Sequence, residues 1–170
     1  YIIEKASRMS AESYAKGDPK KAKEIKENAR KACETFNDKE FNNYFNRGVF
    51  EGLLDLGYSF EDSFNIVYGP ELIEANNETI VFLSITLVEK IAEENEEFSE
   101  WLEMNINMVE LEEAKGELME KGWEKSSEET KKIVMKIVEG LEEIIKTTVN
   151  ENTRRIAEIL KDNLEKVVEA

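Results

Sequence analysis

Apolar residues recur at intervals of three and four positions along most of this 170-residue chain, and this spacing constrains its fold more than any other feature. Residues at that spacing lie on one face of an α-helix. The most regular stripe lies near the end of the chain and contains Val134, Ile137, Val138, Leu141, Ile144, Ile145, Thr148, Val149, Ile156, Ile159, Leu160, Leu164, Val167 and Val168. Asn150, Asn152 and Thr153 interrupt it without Gly or Pro. Residues 125–170 are therefore predicted to form either one helix of about forty residues or two helices that meet at an Asn cap.

Residues typical of helix starts and ends divide the rest of the chain. Short polar side chains can accept hydrogen bonds from the first free amides of a helix, and Pro suits its first position. On this basis we predict starts at Asp18-Pro19, at Asn37 with Glu40, at Ser59 with Asp62, at Asn76-Asn77 and at Ser126 with Glu129. Glycine can adopt the left-handed conformation that ends a helix, which predicts ends at Gly57, Gly69-Pro70 and Gly122.

Together these signals predict an all-α fold, a single-domain helical bundle of six or seven helices with a long C-terminal helix or helix pair. Within residues 1–170 we expect basic helices over 1–36, an aromatic-rich and then acidic bundle core over 37–124, and amphipathic helix over 125–170. Ile80–Val88 is ambiguous, because its β-branched residues also suit a buried strand. Its apolar pattern continues to Ala92 at helical spacing, so we predict a central helix that is apolar on nearly all sides.

Histidine is absent from the chain and cysteine occurs once, at Cys33. Histidine supplies most general bases near neutral pH and is the commonest metal ligand, so its absence excludes Ser-His-Asp triads and His-rich metal sites. This composition favours a non-enzymatic protein without a cofactor. Cys33 is predicted to be a buried small apolar side chain, and a lone thiol is typical of a cytoplasmic protein. No apolar run approaches the roughly 20 residues of a membrane span, so no membrane association is expected.

Negative charge is concentrated in the middle of the chain. Residues 51–124 carry 20 acidic and 3 basic side chains, a net charge of −17, whereas residues 1–50 carry a net charge of +3 and residues 125–170 a net charge of −1. The densest part contains Glu93, Glu94, Glu96, Glu97, Glu100 and Glu103. Pairs such as Glu93–Glu97 and Glu96–Glu100 are spaced so that like charges repel on a helix. We expect the surplus acidic side chains of residues 51–124 to gather on one exposed side of the bundle.

The acidic excess predicts a small protein-interaction protein that binds a basic protein surface through its Glu-rich helices, as an inhibitor, an antitoxin- or immunity-like partner, or an assembly subunit. The six glutamates from Glu93 to Glu103 are the predicted partner-binding residues. Self-association is an alternative, either with the basic side chains near the N-terminus or as a homodimer through residues 125–170. Direct binding of nucleic acid is not expected, because phosphates would meet a repulsive field.

Two further functions stay open on the sequence. Glutamates spaced as Glu-x-x-Glu hold Mg²⁺ in all-α nucleotide pyrophosphohydrolases, and Glu97, Glu100, Glu110 and Glu113 are candidate ligands for that chemistry. No Glu-x-x-Asp motif, the second half of that pattern, occurs in the chain. The other alternative is a pocket for a small ligand in the aromatic and Asn-rich segment, residues 36–68. In it, Asn37, Asn42, Asn43, Asn46 and Asn65 alternate with aromatic side chains.

Overall fold

The computed structural model describes residues 2–69, 72 and 75–170. Over these residues the chain is all-α, as predicted, and no strand is present. The described residues form nine α-helices, namely α1 (Ile2–Ala15), α2 (Pro19–Ala32), α3 (Asp38–Asp55), α4 (Phe60–Val67), α5 (Asn77–Glu94), α6 (Glu96–Asn105), α7 (Met108–Lys121), α8 (Glu128–Thr147) and α9 (Glu151–Glu169). The helices group into two compact units, unit 1 over Tyr1–Ala75 and unit 2 over Asn76–Ala170. That the chain forms a single domain stays a prediction.

The prediction of six or seven helices was wrong because two caps inside residues 76–122 were missed. Asn95 ends α5 and begins α6, and its side chain accepts a hydrogen bond from the amide of Phe98 at 3.0 Å. Asn107 likewise begins α7 by accepting from the amides of Val109 and Glu110. Between the predicted start at Asn76 and the predicted end at Gly122 the chain thus forms three helices, since each Asn satisfies amides that a new helix leaves free.

Most of the predicted helix ends are confirmed. Asp18, Asn37, Ser59 and Asn76 are the caps that begin α2, α3, α4 and α5. Gly57, Gly69 and Gly122 have positive φ, the left-handed conformation in which glycine commonly ends a helix. Pro70 lies outside the described residues.

One predicted helix start and one predicted helix end were wrong. The cap that begins α8 is Ser127, one residue after the predicted Ser126, whose hydroxyl instead donates to the carbonyl of Trp123. The basic helices were predicted to extend to residue 36, but α2 ends at Ala32, with Cys33 as its cap.

Unit 1 is built on close packing between α1 and α3. The two helices run in the same direction, with Ser7 opposite Gly48 and Ala11 opposite Gly52, so residues four apart meet on both. The missing Cβ atoms of the two glycines let the backbones approach. Beside this contact lie the buried side chains of one core cluster, which are Ala11, Ala29, Cys33, Phe41, Phe45, Val49 and Leu53. Cys33 is buried there, as predicted.

Unit 2 is arranged around α5, which packs against α6, α8 and α9. The ambiguous stretch Ile80–Val88 is helical and almost wholly buried, which confirms the predicted central helix. Residues 125–170 form two helices that meet at Asn150, which accepts from the amides of Asn152 and Thr153. The apolar stripes of α8 and α9 pack on each other and on α5.

None of the helices in the described ranges combines the length and the apolar composition that a bilayer crossing requires.

Candidate functional site

Helix α6 carries four of the six predicted binding glutamates, and three apolar side chains hold it against the rest of unit 2. Phe98 and Leu102 are buried, and the Trp101 ring stacks on Phe98 with ring centres 5.7 Å apart. A Cβ added to Gly140 of α8 would lie 3.7 Å from the Trp101 ring, so this indole rests against α8. Helix α6 has ten residues and would be marginal alone, which makes these contacts the basis of its stability.

The carboxylates of α6 share the side opposite this buried face. At 100° per residue, Glu96, Glu97, Glu100 and Glu103 fall within an arc of about 120°, centred opposite Phe98 and Leu102. All four are exposed, and so are Glu93 and Glu94 in the last turn of α5. We call these six glutamates the acidic surface. Because Asn95 ends α5 and begins α6, Glu93 and Glu97 lie on different helices, and the spacing of a single helix from which their repulsion was expected does not apply to them.

Basic partners are scarce on the acidic surface. Glu93 lies 3.8 Å from Nζ of Lys90, an exposed pair in the last turn of α5. Within the described ranges the other five glutamates form no ion pair. An exposed pair like Lys90–Glu93 contributes about 0–1 kcal/mol, so most of the negative charge on this surface is left uncompensated by the protein itself.

The next acidic helix, α7, differs because some of its charges are neutralised within unit 2. Nζ of Lys115 lies 3.0 Å from a carboxylate oxygen of Glu89 on α5 and 3.3 Å from one of Glu112. Partial burial of Lys115 acts to lower its pKa, but the hydrogen bonds and charges of the two glutamates outweigh it and raise the pKa. Lys115 therefore serves as a bridge between α7 and α5.

Glu117 of α7 is bound to the beginning of α8. Its carboxylate accepts from the hydroxyls of Thr130 at 2.7 Å and Ser127 at 3.0 Å, and from the amide of Ser127. The hydrogen bond from Thr130, followed by that from the Ser127 amide, holds the pKa of Glu117 below its ordinary value. A carboxylate at a helix N-terminus also suits the helix dipole. Glu117 is thus a structural residue that fixes the turn between α7 and α8.

The carboxylates proposed as magnesium ligands do not form a metal site in the described part of the chain. Glu97 and Glu100 lie exposed on α6, and Glu110 and Glu113 lie exposed on α7. Among the described residues, no three Asp, Glu or Cys side chains come close enough together to hold a metal ion. The geometry thus adds nothing in favour of the hydrolase alternative.

The aromatic segment of residues 36–68 forms the interior of unit 1. Phe41, Phe45, Phe50 and Phe64 are fully buried. The amide of Asn43 donates to the carbonyl of Lys39 at 2.8 Å. These side chains therefore fill a core, and the rings have the edge-to-face and stacked contacts of one.

An open groove of about 800 Å³ lies between α2 and α3, beside this core. Of its lining, Phe41 and Asn42 belong to the predicted aromatic and asparagine pocket, and the remaining side chains are charged, among them Lys26 and Arg30. Arg30 lies over the ring of Phe41 and Lys26 over the ring of Phe45, at 5.8 and 5.9 Å from the ring centres. The two cations cover the aromatic faces that an apolar ligand would need, so the groove does not resemble a small-ligand pocket.

Exposed apolar side chains on α6 and α7 were not predicted. Met104 at the end of α6 is 87% exposed, and Val109 and Met119 of α7 are 68% and 82% exposed. The helical spacing of α7 already places Val109 opposite Leu111 and Ala114, and Met119 at the edge of the same outward side. The exposure of these apolar side chains could therefore have been predicted from the sequence.

Comparison of the chain with models of protein families, with curated proteins and with solved structures gives no match.

Proposed function

We propose that the protein is a non-enzymatic interaction protein that binds a basic surface of a partner protein through the acidic surface. The observation that supports this most directly is the arrangement of α6. Four glutamates share its exposed side, and no ion pair within the described residues neutralises them. A partner that brings lysine or arginine side chains to this side supplies the counter-charges that the chain itself lacks.

The expected role of the acidic surface is to raise the rate of association and to fix the orientation of the partner. Complementary surface charge accelerates encounter and contributes less to the final affinity. Because the interacting charges are exposed, dissolved salt screens them over about 10 Å at 0.1 M ionic strength. Binding should therefore weaken strongly as salt is added.

The test uses the full chain and a dye-labelled oligolysine as a defined basic probe, with affinity measured by fluorescence anisotropy at low and at high salt. One triple variant, E97Q/E100Q/E103Q, removes charge from the acidic surface. The matched control, E139Q/E158Q/E169Q, removes the same charge from exposed positions on α8 and α9. At about 0.5 kcal/mol for each exposed pair, the first variant should lose about tenfold in affinity at low salt.

The control variant should lose less than about twofold under the same conditions, because its glutamates lie outside the proposed surface. Equal losses in the two variants would show that overall charge alone attracts the probe, and would overturn the proposal. So would affinity that does not change with salt.

A further inference from the structure

The outward side of α7 combines apolar side chains with carboxylates. Helix α7 buries Leu111 and Ala114. On the opposite side lie Val109 and Gly116, seven residues apart, with Met119 beside them one turn after Gly116. Val109 and Met119 are 68% and 82% exposed, so this side of the helix presents apolar surface next to carboxylates. We call this side, which also contains Glu112, Glu113 and Glu120, the α7 face.

Nothing in the described part of the chain requires a glycine at Gly116. It lies inside the helix, and a Cβ added to it would meet no atom of the described residues within 4 Å. Its φ is not among the positive values that favour glycine. A glycine in an exposed helix lowers stability relative to alanine, so this position is not optimised for the isolated fold. What a glycine provides here is a bare backbone surface that another chain can approach closely.

The charges around this surface restrict what can occupy it. Glu113 and Glu120 are exposed on the same side, as is Glu112, which is paired with Lys115. A link of two residues joins α7 to α6 and its acidic surface. A second copy that docked through the same face would place glutamates against glutamates, which disfavours a symmetric dimer here. A segment with apolar residues along one side and basic residues beside them complements both the methionine and the carboxylates.

We propose that the α7 face binds a basic amphipathic helix of the partner. Its apolar side chains pack on Val109 and Met119, its backbone lies over Gly116, and its lysines and arginines face the surrounding glutamates. Exposed methionines adapt to varied apolar surfaces, and an amphipathic helix recognises such a face by apolar residues at three- and four-residue spacing. This inference rests on the proposed function and adds to it the secondary structure of the segment that is bound.

The test compares two dye-labelled peptides of about 18 residues with the same lysine and leucine composition. In one peptide the leucines have helical spacing, and in the other they alternate with lysines and form no helical stripe. Both are titrated with the full chain at low salt. The helical peptide should bind about tenfold more tightly, because only it can bury its leucines against Val109 and Met119.

Two variants and one control locate the binding site. V109Q/M119Q and Gly116→Leu should each remove most of the preference for the helical peptide, the first by loss of apolar contact and the second by blocking close approach. The matched control is M135Q, which changes a methionine that is 56% exposed on α8 and should leave the preference unchanged. Circular dichroism checks that each variant keeps its helix content, since all of these positions face solvent.

Each other outcome overturns a defined part of the inference. Equal binding of the two peptides would overturn the docking of a helix while leaving the acidic surface as a binding site for basic partners. A preference for the helical peptide that survives in V109Q/M119Q and in Gly116→Leu would exclude the α7 face. Binding of neither peptide at low salt would overturn the proposed function as well.

Discussion

Replacement of Gly52 by alanine should destabilise the protein, whereas the same replacement at Gly116 should stabilise it. A Cβ at Gly52 would lie 2.8 Å from Cβ of Ala11, and neither atom can rotate away because both are fixed to helix backbones. Crowding of this kind in a packed core costs about 1–3 kcal/mol. Because the two Cβ atoms are fixed, we expect the upper part of this range, which exceeds the roughly 1 kcal/mol that alanine gains over glycine in a helix. At Gly116 no atom opposes the gain.

The two variants should therefore differ by about 1–3 kcal/mol in the free energy of unfolding, with opposite signs of change. Urea denaturation followed by far-UV circular dichroism measures both. Ala11→Gly removes the Cβ that opposes the new one. The double variant Ala11→Gly/Gly52→Ala should therefore be more stable than the sum of the two single changes predicts, by most of the free energy that crowding costs. If Gly52→Ala and Gly116→Ala changed stability by the same amount and in the same direction, the close packing of α1 on α3 would be refuted.

Three further substitutions test the contacts that shape the candidate site. Asn95→Ala should cost about 1 kcal/mol in urea denaturation, since it leaves the first amides of α6 without their acceptor. Lys115→Met should cost about 0.5–1 kcal/mol, because the lysine is partly exposed where it bridges Glu89 and Glu112. The pKa of Lys115 is raised by folding, so its contribution should be complete below its ordinary pKa of 10.5 and should disappear as pH rises through the folded value. Glu117→Gln should lower the melting temperature at pH 7, and the difference from the unchanged chain should shrink in acid. The pKa of Glu117 is lowered by folding, so its contribution is complete above the ordinary value of 4.5 and is lost as pH falls through the folded value.

Matched positions serve as controls for these three substitutions. Asn28 lies exposed within α2 and begins no helix, so Asn28→Ala should not destabilise the chain. Lys132→Met and Glu120→Gln change exposed side chains of α8 and α7 and should have effects within about 0.5 kcal/mol. Effects as large at these positions as at the tested ones would contradict the roles given to Asn95, Lys115 and Glu117.

Local signals predicted much of the fold, because helix starts depend on a few neighbouring residues. Asn37 and Ser59 precede first turns rich in acidic residues, and both begin helices. Asn95 and Asn107 carry the same signal, since glutamates follow each of them in the next turn. They were missed because the apolar spacing continues across them, and periodicity alone does not show where a helix is interrupted.

The candidate site was predictable where it depends on the sequence of one helix, and not where it depends on contacts between helices. The common exposed side of the α6 glutamates follows from their spacing alone. Lys115 neutralises Glu89, 26 residues away, and Thr130 donates a hydrogen bond to Glu117, 13 residues away, so contacts between helices decide which carboxylates are already engaged within unit 2. A charge count assigns both glutamates to the same excess, although each has a defined partner in unit 2.

The acidic surface should reduce the stability of the free protein. We expect the largest effect at Glu100, which has the most like-charged neighbours on its helix. It lies three or four residues from Glu96, Glu97 and Glu103, and each such pair of like charges costs about 0.2–0.5 kcal/mol. Glu96 and Glu97 lie in the first turn, where the helix dipole favours them, but Glu100 lies beyond it. Glu100→Gln should therefore stabilise the free chain at low salt by about 0.5–1 kcal/mol in urea denaturation.

Glu158, unlike Glu100, has mainly cationic neighbours on its helix. On α9 its neighbours at three- and four-residue spacing are Arg154, Arg155, Lys161 and Asp162, three cations and one anion. Glu158→Gln should therefore destabilise the chain, and high salt should diminish both effects because it screens exposed charges. Loss of stability in Glu100→Gln would mean that the charge of Glu100 is already compensated within the protein. The acidic surface would then carry no excess negative charge for a basic partner to neutralise. We expect Glu100→Gln to be more stable and also to bind oligolysine more weakly. Both results would follow if the charge of this surface favours binding and lowers stability.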